Sequence, residues 1–398
     1  MKVTPGVRRD PAPDLDAVGE DEHLVRRIRA EIREAGPMTF ARFMDLALYD
    51  PAGGYYRAAT ARPGWSGDYM TAPEAHPIFG HALARQLDEV WLRLDRPGTF
   101  VLREYGAGTG ALAEAILHGL AADRSGLAEA IRYEPVEVDP RRLDALEERL
   151  AAAGFGDRLV RSTDGSIEGA IIGNEVLDAL PVHRVGLRDG ALVERFVDLD
   201  GERFVDAWGP PSTPGLAARL GAEAIELTEG ASAEIALAVD VWIEETAAGL
   251  GRGLLLLIDY GAPAAELYDP VRRRDGTLRA YLRQRVHDDP YVHVGRQDLT
   301  AHVDVTAVER AAIAAGLTTL GTTTQAEFLV GVGTEELLRA VQSDPDTTLA
   351  EYLVLRSTLM RMLDPAAMGR FRVMAFGRRW PGGAPLKGLA YRIPVRPR

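Results

Sequence analysis

Glu104-Tyr105-Gly106-Ala107-Gly108-Thr109-Gly110 follows a short apolar run and precedes a helical one. Glycines at such a junction take positive φ and let a ligand touch the backbone, and the helix start offers unpaired N–H groups. The chemistry this supports is the holding of an adenosine-containing cofactor, and two candidates fit. Gly106-x-Gly108-x-x-Ala111 matches a dinucleotide fingerprint, hence NAD. Three features favour S-adenosyl-L-methionine. Glu104 stands two residues before the first glycine, where a carboxylate can face an ammonium and a sulfonium. The third glycine is at 110 rather than 111. Glu137 ends the next strand, where a carboxylate can take both ribose hydroxyls, although that feature suits NAD equally. A tight turn without a ligand is the plain alternative.

Asn174-Glu175-Val176-Leu177-Asp178-Ala179-Leu180-Pro181 follows another apolar run. Ligands of open α/β sheets lie beyond the carboxyl ends of the strands, so Asn174 and Glu175 are expected to point into a cleft. Asp178 lies three residues on, and a helical turn would set it on the same face as Glu175; a helix N-cap with ordinary first-turn acids reads equally well. Asp259-Tyr260-Gly261 ends a further run. Gly67-Asp68-Tyr69-Met70-Thr71-Ala72-Pro73-Glu74 is a loop of turn formers that either closes over a cofactor or merely connects. Gln297–Asp304 holds a His302-x-Asp304 pair, but no further ligands stand at metal-binding spacing, so a helix start or substrate loop is the expectation. Neither G-x-S-x-G nor H-E-x-x-H occurs, which removes the commonest hydrolase readings.

The elements that must position these residues alternate. Strands are expected at 99–105, 131–138, 159–162, 170–174 and 254–259, with helices at 77–94, 111–120 and 141–153 between them. Such alternation makes a parallel, doubly wound sheet. Earlier helices are expected over 21–35 and from an N-cap at Thr39 to Tyr49. Residues 182–207 alternate as a hairpin, 208–215 are a Pro-rich linker, and 231–250 read as a helix returning to the sheet. The last strands are expected near 317–324 and 388–395. The organisation is thus a disordered tail at 1–20, an N-terminal helical region with a cofactor-covering loop at 21–98, and an α/β domain at 99–398 with insertions at about 182–230 and 262–315.

The 398 residues are 46% hydrophobic and 26% charged, as a globular core requires, and carry a formal net charge of −13. That sign disfavours nucleic acid as the main partner. Val271–Arg285 departs from it with six arginines against one acid; a solvated helix face is the plainer reading, and a basic wall for an acidic substrate the sharper one. No cysteine is present, so disulfides and thiolate chemistry are excluded. No apolar run reaches membrane-spanning length. The polar, acidic first residues lack the marks of a signal or transit peptide, so the expected compartment is the cytoplasm.

Nine segments in order carry a resemblance: GPMTFARFMDLALYDPAGGYY (36–56), GDYMTAPE (67–74), EYGAGTG (104–110), VEVDP (136–140), NEVLDALPV (174–182), IDYG (258–261), GTLRAYLRQRV (276–286), QDLTAHVD (297–304) and TQAEFL (324–329). The chain resembles the MidA family of class I methyltransferases, relatives of the mitochondrial complex I assembly factor that methylates an arginine. The resemblance implies a Rossmann-like, seven-stranded class I methyltransferase sheet with a helical and hairpin addition. It implies S-adenosyl-L-methionine as cofactor, with Gly106, Gly108 and Gly110 around its methionine part and Glu137 on its ribose. Gly67, Asp68, Thr71, Pro73 and Glu74, with Glu104, Asn174 and Glu175, would complete that site. The family usually reads E-L-G-P-G-R-G, and here Tyr105, Ala107 and Thr109 occupy its variable positions. If the acceptor is arginine, its always-protonated guanidinium needs carboxylates, and the candidates are Glu175 and Asp178, then Asp259. The expected partner is a protein substrate, in a respiratory complex or elsewhere; a small-molecule acceptor, a homodimer, and a non-catalytic assembly protein that retains the site stay open.

Overall fold

Apolar strand runs separated by helices build a six-stranded sheet, in a computed structural model that describes residues 18–57, 76–161 and 165–393. In chain order the strands are β1 (Phe100–Tyr105), β2 (Ile131–Val136), β3 (Ile167–Asn174), β4 (Leu250–Asp259), β5 (Thr318–Thr324) and β6 (Arg372–Arg378). Their spatial order is β5-β6-β4-β3-β1-β2. β1 to β4 run parallel, and β6 is antiparallel to both β4 and β5. Leu254–Ile258 of β4 are all buried, as a central parallel strand with both faces covered requires. Gly169 of β3 pairs with Gly253 of β4, and a Cβ on either would meet backbone atoms at 2.1 and 1.9 Å. The first contact is with Val101 O of β1 and the second with Gly169 O of β3, so three neighbouring strands approach closely where these two glycines carry no side chain.

The chain divides into two compact units. This sheet belongs to the one made of Thr71–Val176, Ile243–Tyr260 and Glu309–Arg398. It includes the helix Ile78–Arg93. Of the expected third strand at 159–162, the described residues 159–161 carry one parallel bridge, Tyr133↔Leu159. Among the described residues the last strand is β6, and of the strand expected at 388–395 the described part begins within a short helix, Lys387–Ala390. Val373–Phe376 are fully buried between β4 and β5, a strand environment that Met and Ala accept without advertising it.

The other unit comprises Met1–Met70, Leu177–Trp242 and Gly261–Val308. Its helix Phe40–Tyr49 starts from the predicted cap, Thr39 Oγ1 accepting from Arg42 N–H, and Glu22–Ala35 starts from Asp21, whose Oδ1 accepts from Leu24 N–H, each at 3.1 Å. The predicted hairpin is a three-strand meander, His183–Arg188, Ala191–Asp200 and Arg203–Gly209. Its first turn is Asp189-Gly190, with φ of 51° and 74°. Phe43 anchors the core, with ring centroids 5.5 Å from Phe204 and 5.4 Å from Tyr291. Two helix expectations fail here. Ser232–Ile235 is a strand paired with His183–Arg188, and only Ala238–Ala248 is helical, because an open sheet edge recruits four residues of ambiguous propensity. The arginine-rich segment is no helix either: Arg279–Leu282 and Arg285–His287 form a hairpin turned by Arg283 and Gln284 at φ 48° and 63°.

Candidate functional site

Parallel register brings four strand ends together. Tyr105 of β1 is level with Val136 of β2 and Gly173 of β3, and Asn174 is level with Ile258 of β4. The glycine loop leaves β1 at this edge. Gly106, Gly108 and Gly110 have φ of 68°, 53° and 78°, which side chains rarely adopt. Gly110 is also the N-cap of Ala111–Ala122 and supplies no side-chain cap, so the first N–H groups of that helix face the loop without one. A Cβ on Gly106 would sit 3.0 Å from Val176 Cγ2, which sets the loop against the tip of β3.

Glu137, beyond the end of β2, is held by backbone. Its Oε2 accepts from Gly108 N–H at 2.9 Å, and its Oε1 from Val138 and Asp139 N–H at 2.8 and 3.2 Å. It is thus a fixed anionic acceptor tied to the glycine loop, with lone-pair capacity remaining. Glu104 differs from the expectation of a ligand-facing carboxylate. It is buried under the loop and accepts from the Tyr133 hydroxyl at 2.7 Å. Burial pushes its pKa up to about 8; the Tyr133 hydrogen bond opposes that, and the nearby Glu137 charge adds to it. Tyr133 carried no signal of its own, although the β1–β2 register sets it opposite Leu102, two residues before Glu104.

At the tip of β3, Asn174 Nδ2 donates to Glu175 Oε1 at 3.1 Å, while Asn174 Oδ1 is buried without a hydrogen-bond partner among the described residues. Glu175 has φ 53°, an unusual conformation for a side-chain-bearing residue, and such strain concentrates at functional sites. Two bonds hold it there. Glu175 N–H donates to Ile258 O at 2.8 Å, and Val176 N–H donates to Asp259 Oδ2 at 3.1 Å. Asp259 Oδ1 accepts from Tyr260 N–H at 2.8 Å, so this buried carboxylate braces two backbone segments.

The expected helical turn over 175–178 is not formed; bends and a turn follow Asn174, because Glu175 leaves the helical region at once. Asp178 lies in the other unit, buried, with its carbonyl accepting from Ala301 N–H at 2.9 Å. Gly67, Asp68, Thr71, Pro73 and Glu74 lie outside the described residues. Of the His302-x-Asp304 pair, Asp304 Oδ1 accepts from Ala307 N–H at 3.1 Å, capping Val305–Ala314 as a helix start.

Known proteins share this arrangement. A family model described as "Putative S-adenosyl-L-methionine-dependent methyltransferase" matches residues 82–323. The Drosophila melanogaster protein arginine methyltransferase NDUFAF7 homolog, mitochondrial, is 28% identical over 397 residues, covering 91% of this chain and 87% of its own. The Homo sapiens protein arginine methyltransferase NDUFAF7, mitochondrial, is 28% identical over 385 residues, covering 88% and 82%. A superfamily member from Burkholderia thailandensis, described as a candidate methyl transferase and bound to S-adenosyl-homocysteine, is 35% identical with a TM-score of 0.84, over 96% of this chain and 97% of that one. The cofactor is therefore S-adenosyl-L-methionine and not NAD. The curated relatives are named as mitochondrial, which overturns the cytoplasmic expectation drawn from the first residues. Among the described residues no helix is long and apolar enough to cross a membrane.

Proposed function

This chain belongs to the S-adenosyl-L-methionine-dependent methyltransferase family, and from that premise we propose that its methyl acceptor is an arginine side chain of a protein. The names of the curated relatives support the acceptor class. The observation that carries the reading is Glu175, a carboxylate held at a strand tip in a left-handed backbone by two hydrogen bonds from this segment to the end of β4.

The residues present fit the cofactor. Gly106, Gly108 and Gly110 carry no Cβ, and the loop ends at a helix N-terminus suited to a carboxylate. Glu137 would accept from the ribose hydroxyls, and the unpartnered Asn174 Oδ1 is an acceptor for a cofactor donor. When bound, S-adenosyl-L-methionine supplies an electrophilic methyl carbon on a sulfur that departs as a neutral thioether. The chain's own part is alignment and proton management. Glu175, steadied by Asn174, would accept hydrogen bonds from the guanidinium and turn one nitrogen towards the methyl carbon. As the N–C bond forms and the C–S bond breaks, that nitrogen sheds one proton, which the Glu175 carboxylate takes. Asp259 acts as a positioning residue through the backbone of Val176, and Asp178 is left out of the reaction.

The test is Glu175→Gln with labelled cofactor and a protein extract as acceptor, followed by hydrolysis and analysis of methylated residues. The expected result is label in methylarginine with the wild type, and a loss of roughly 10²-fold or more in the variant with S-adenosyl-homocysteine affinity nearly unchanged. Unaltered turnover removes Glu175 from the mechanism, and label confined to other residues overturns the arginine assignment.

A further inference from the structure

Pleat alternation sorts the side chains at the carboxyl edge of the six-stranded sheet onto two faces. Asn174 is level with Ile258, so Asn174, Ile258 and, two residues on, Tyr260 share one face, and Asp259 takes the other. Arg372 is level with Asp259, which leaves Phe371, the residue before it, on the face of Tyr260. Ring contact agrees with this sorting: the Tyr260 and Phe371 centroids lie 3.7 Å apart with planes tilted by 49°. Glu175 would follow Asp259 by simple alternation, but its left-handed backbone breaks the pattern. Its carboxylate accepts from the Asn174 amide at 3.1 Å, which draws it to the face of Asn174 and Tyr260. All of these residues belong to the sheet unit.

Phe371 is fully buried, whereas Tyr260 is half-buried. The Tyr260 ring rests on Phe371, and its backbone N–H donates to Asp259 Oδ1 at 2.8 Å. Through its other oxygen Asp259 holds Val176 N–H at 3.1 Å. One buried carboxylate thus fixes the Glu175 segment and Tyr260 against each other. Asn174, which steadies the Glu175 carboxylate, and Tyr260 are one strand spacing and two residue rises apart, roughly 8 Å. A planar guanidinium fits such a gap, with its N–H edge on a carboxylate and its face on an aromatic ring.

We propose that Tyr260 is an acceptor-binding residue, its ring face holding the guanidinium that Glu175 takes by the edge. The assignment rests on the arginine reading above and deepens it. A carboxylate by itself attracts any cation, whereas a carboxylate beside an aromatic face selects a flat one over the compact ammonium of lysine. The electron-rich face also stays neutral, so it holds the cation without competing with Glu175 for the proton that leaves.

The test uses the full chain, labelled cofactor and a dilution series of a protein extract as acceptor, with methylarginine counted after hydrolysis. Tyr260→Ala is expected to slow methylation roughly 3- to 30-fold at the dilute end. It should regain rate as the extract is concentrated, the mark of lost acceptor binding, while S-adenosyl-homocysteine affinity holds. Tyr260→Phe keeps the face without the hydroxyl and should recover most of the loss. Tyr260→trifluorophenylalanine is close to Phe in size but has a weakened negative face, and should fall back towards the alanine variant. If Tyr260→Ala loses S-adenosyl-homocysteine binding, the comparison of Phe with trifluorophenylalanine decides alone. Equal rates for those two make Tyr260 a packing residue, Tyr260→Phe as slow as Tyr260→Ala assigns the role to the hydroxyl, and Tyr260→Ala as fast as wild type removes it from the site; each overturns the proposal. The arginine reading is judged separately on the wild type, where label outside methylarginine overturns that reading and this one with it.

Discussion

Glu104 is a carboxylic acid where solvent cannot reach it, and that has a measurable consequence. Its pKa of about 8 lies above the ordinary 4.5 because burial disfavours the charged form more than the Tyr133 hydroxyl favours it. The folded protein therefore keeps a proton that the unfolded chain has already released above pH 4.5. Stability from this site is present below that pH and declines as pH rises towards 8, by on the order of 5 kcal/mol. Glutamine retains an acceptor for Tyr133 and has no charge to bury. Glu104→Gln should thus flatten the pH dependence of the melting temperature of the ligand-free protein between pH 5 and 8. A variant that loses stability with pH as steeply as the wild type contradicts this account. The acid two residues before the glycines was legible, but not its burial, which depends on a tyrosine 29 positions away.

At the scale of elements, the site is a set of strand ends held level by pairing, and Asp259 is where that holding is most exposed to mutation. Asn in its place keeps one oxygen but turns an amide donor towards Val176 N–H or Tyr260 N–H. The prediction for Asp259→Asn is a turnover drop of about tenfold or more, with a stability loss of only about 1–3 kcal/mol, the cost of one unsatisfied buried group. Steady-state kinetics with a cofactor titration separate the two; a variant whose kcat is unchanged while its stability falls makes Asp259 merely structural. The helix start at Thr39 was readable because that side chain acts on its own next turn. β6 and Ser232–Ile235 were not readable, since each becomes a strand only by filling a place beside partners far along the chain. The turn at Glu175 was misread as helical for the same reason: its left-handed backbone is imposed by Ile258 and Asp259.

For the whole molecule, cofactor binding and folding are linked, because a ligand that binds only the folded chain stabilises it by about 2.7 kcal/mol at a hundredfold excess over Kd. S-adenosyl-L-methionine and S-adenosyl-homocysteine should each raise the melting temperature by several degrees, and NAD should leave it unmoved. A rise with NAD, or none with either adenosyl compound, would sink the cofactor assignment. The same experiment on Glu175→Gln should show a full shift, since that variant loses reaction and not binding.

The amino-acid sequence by itself determined what short-range chemistry can write: capped helices, a glycine loop at a strand-to-helix junction, a carboxylate beyond the next strand, and a pattern of segments that names the family. Tertiary structure alone decided the rest. Asn174 and Glu175 were legible as residues at a strand tip, but the brace that twists Glu175 out of helix comes from β4, some 80 positions later. The proton on Glu104 comes from packing, and the division of 174–182 between two units comes from which neighbours each half finds. Caps and loops are encoded within a few residues of themselves. Burial and register are properties of partners brought together from distant parts of the chain, and no window of sequence contains both.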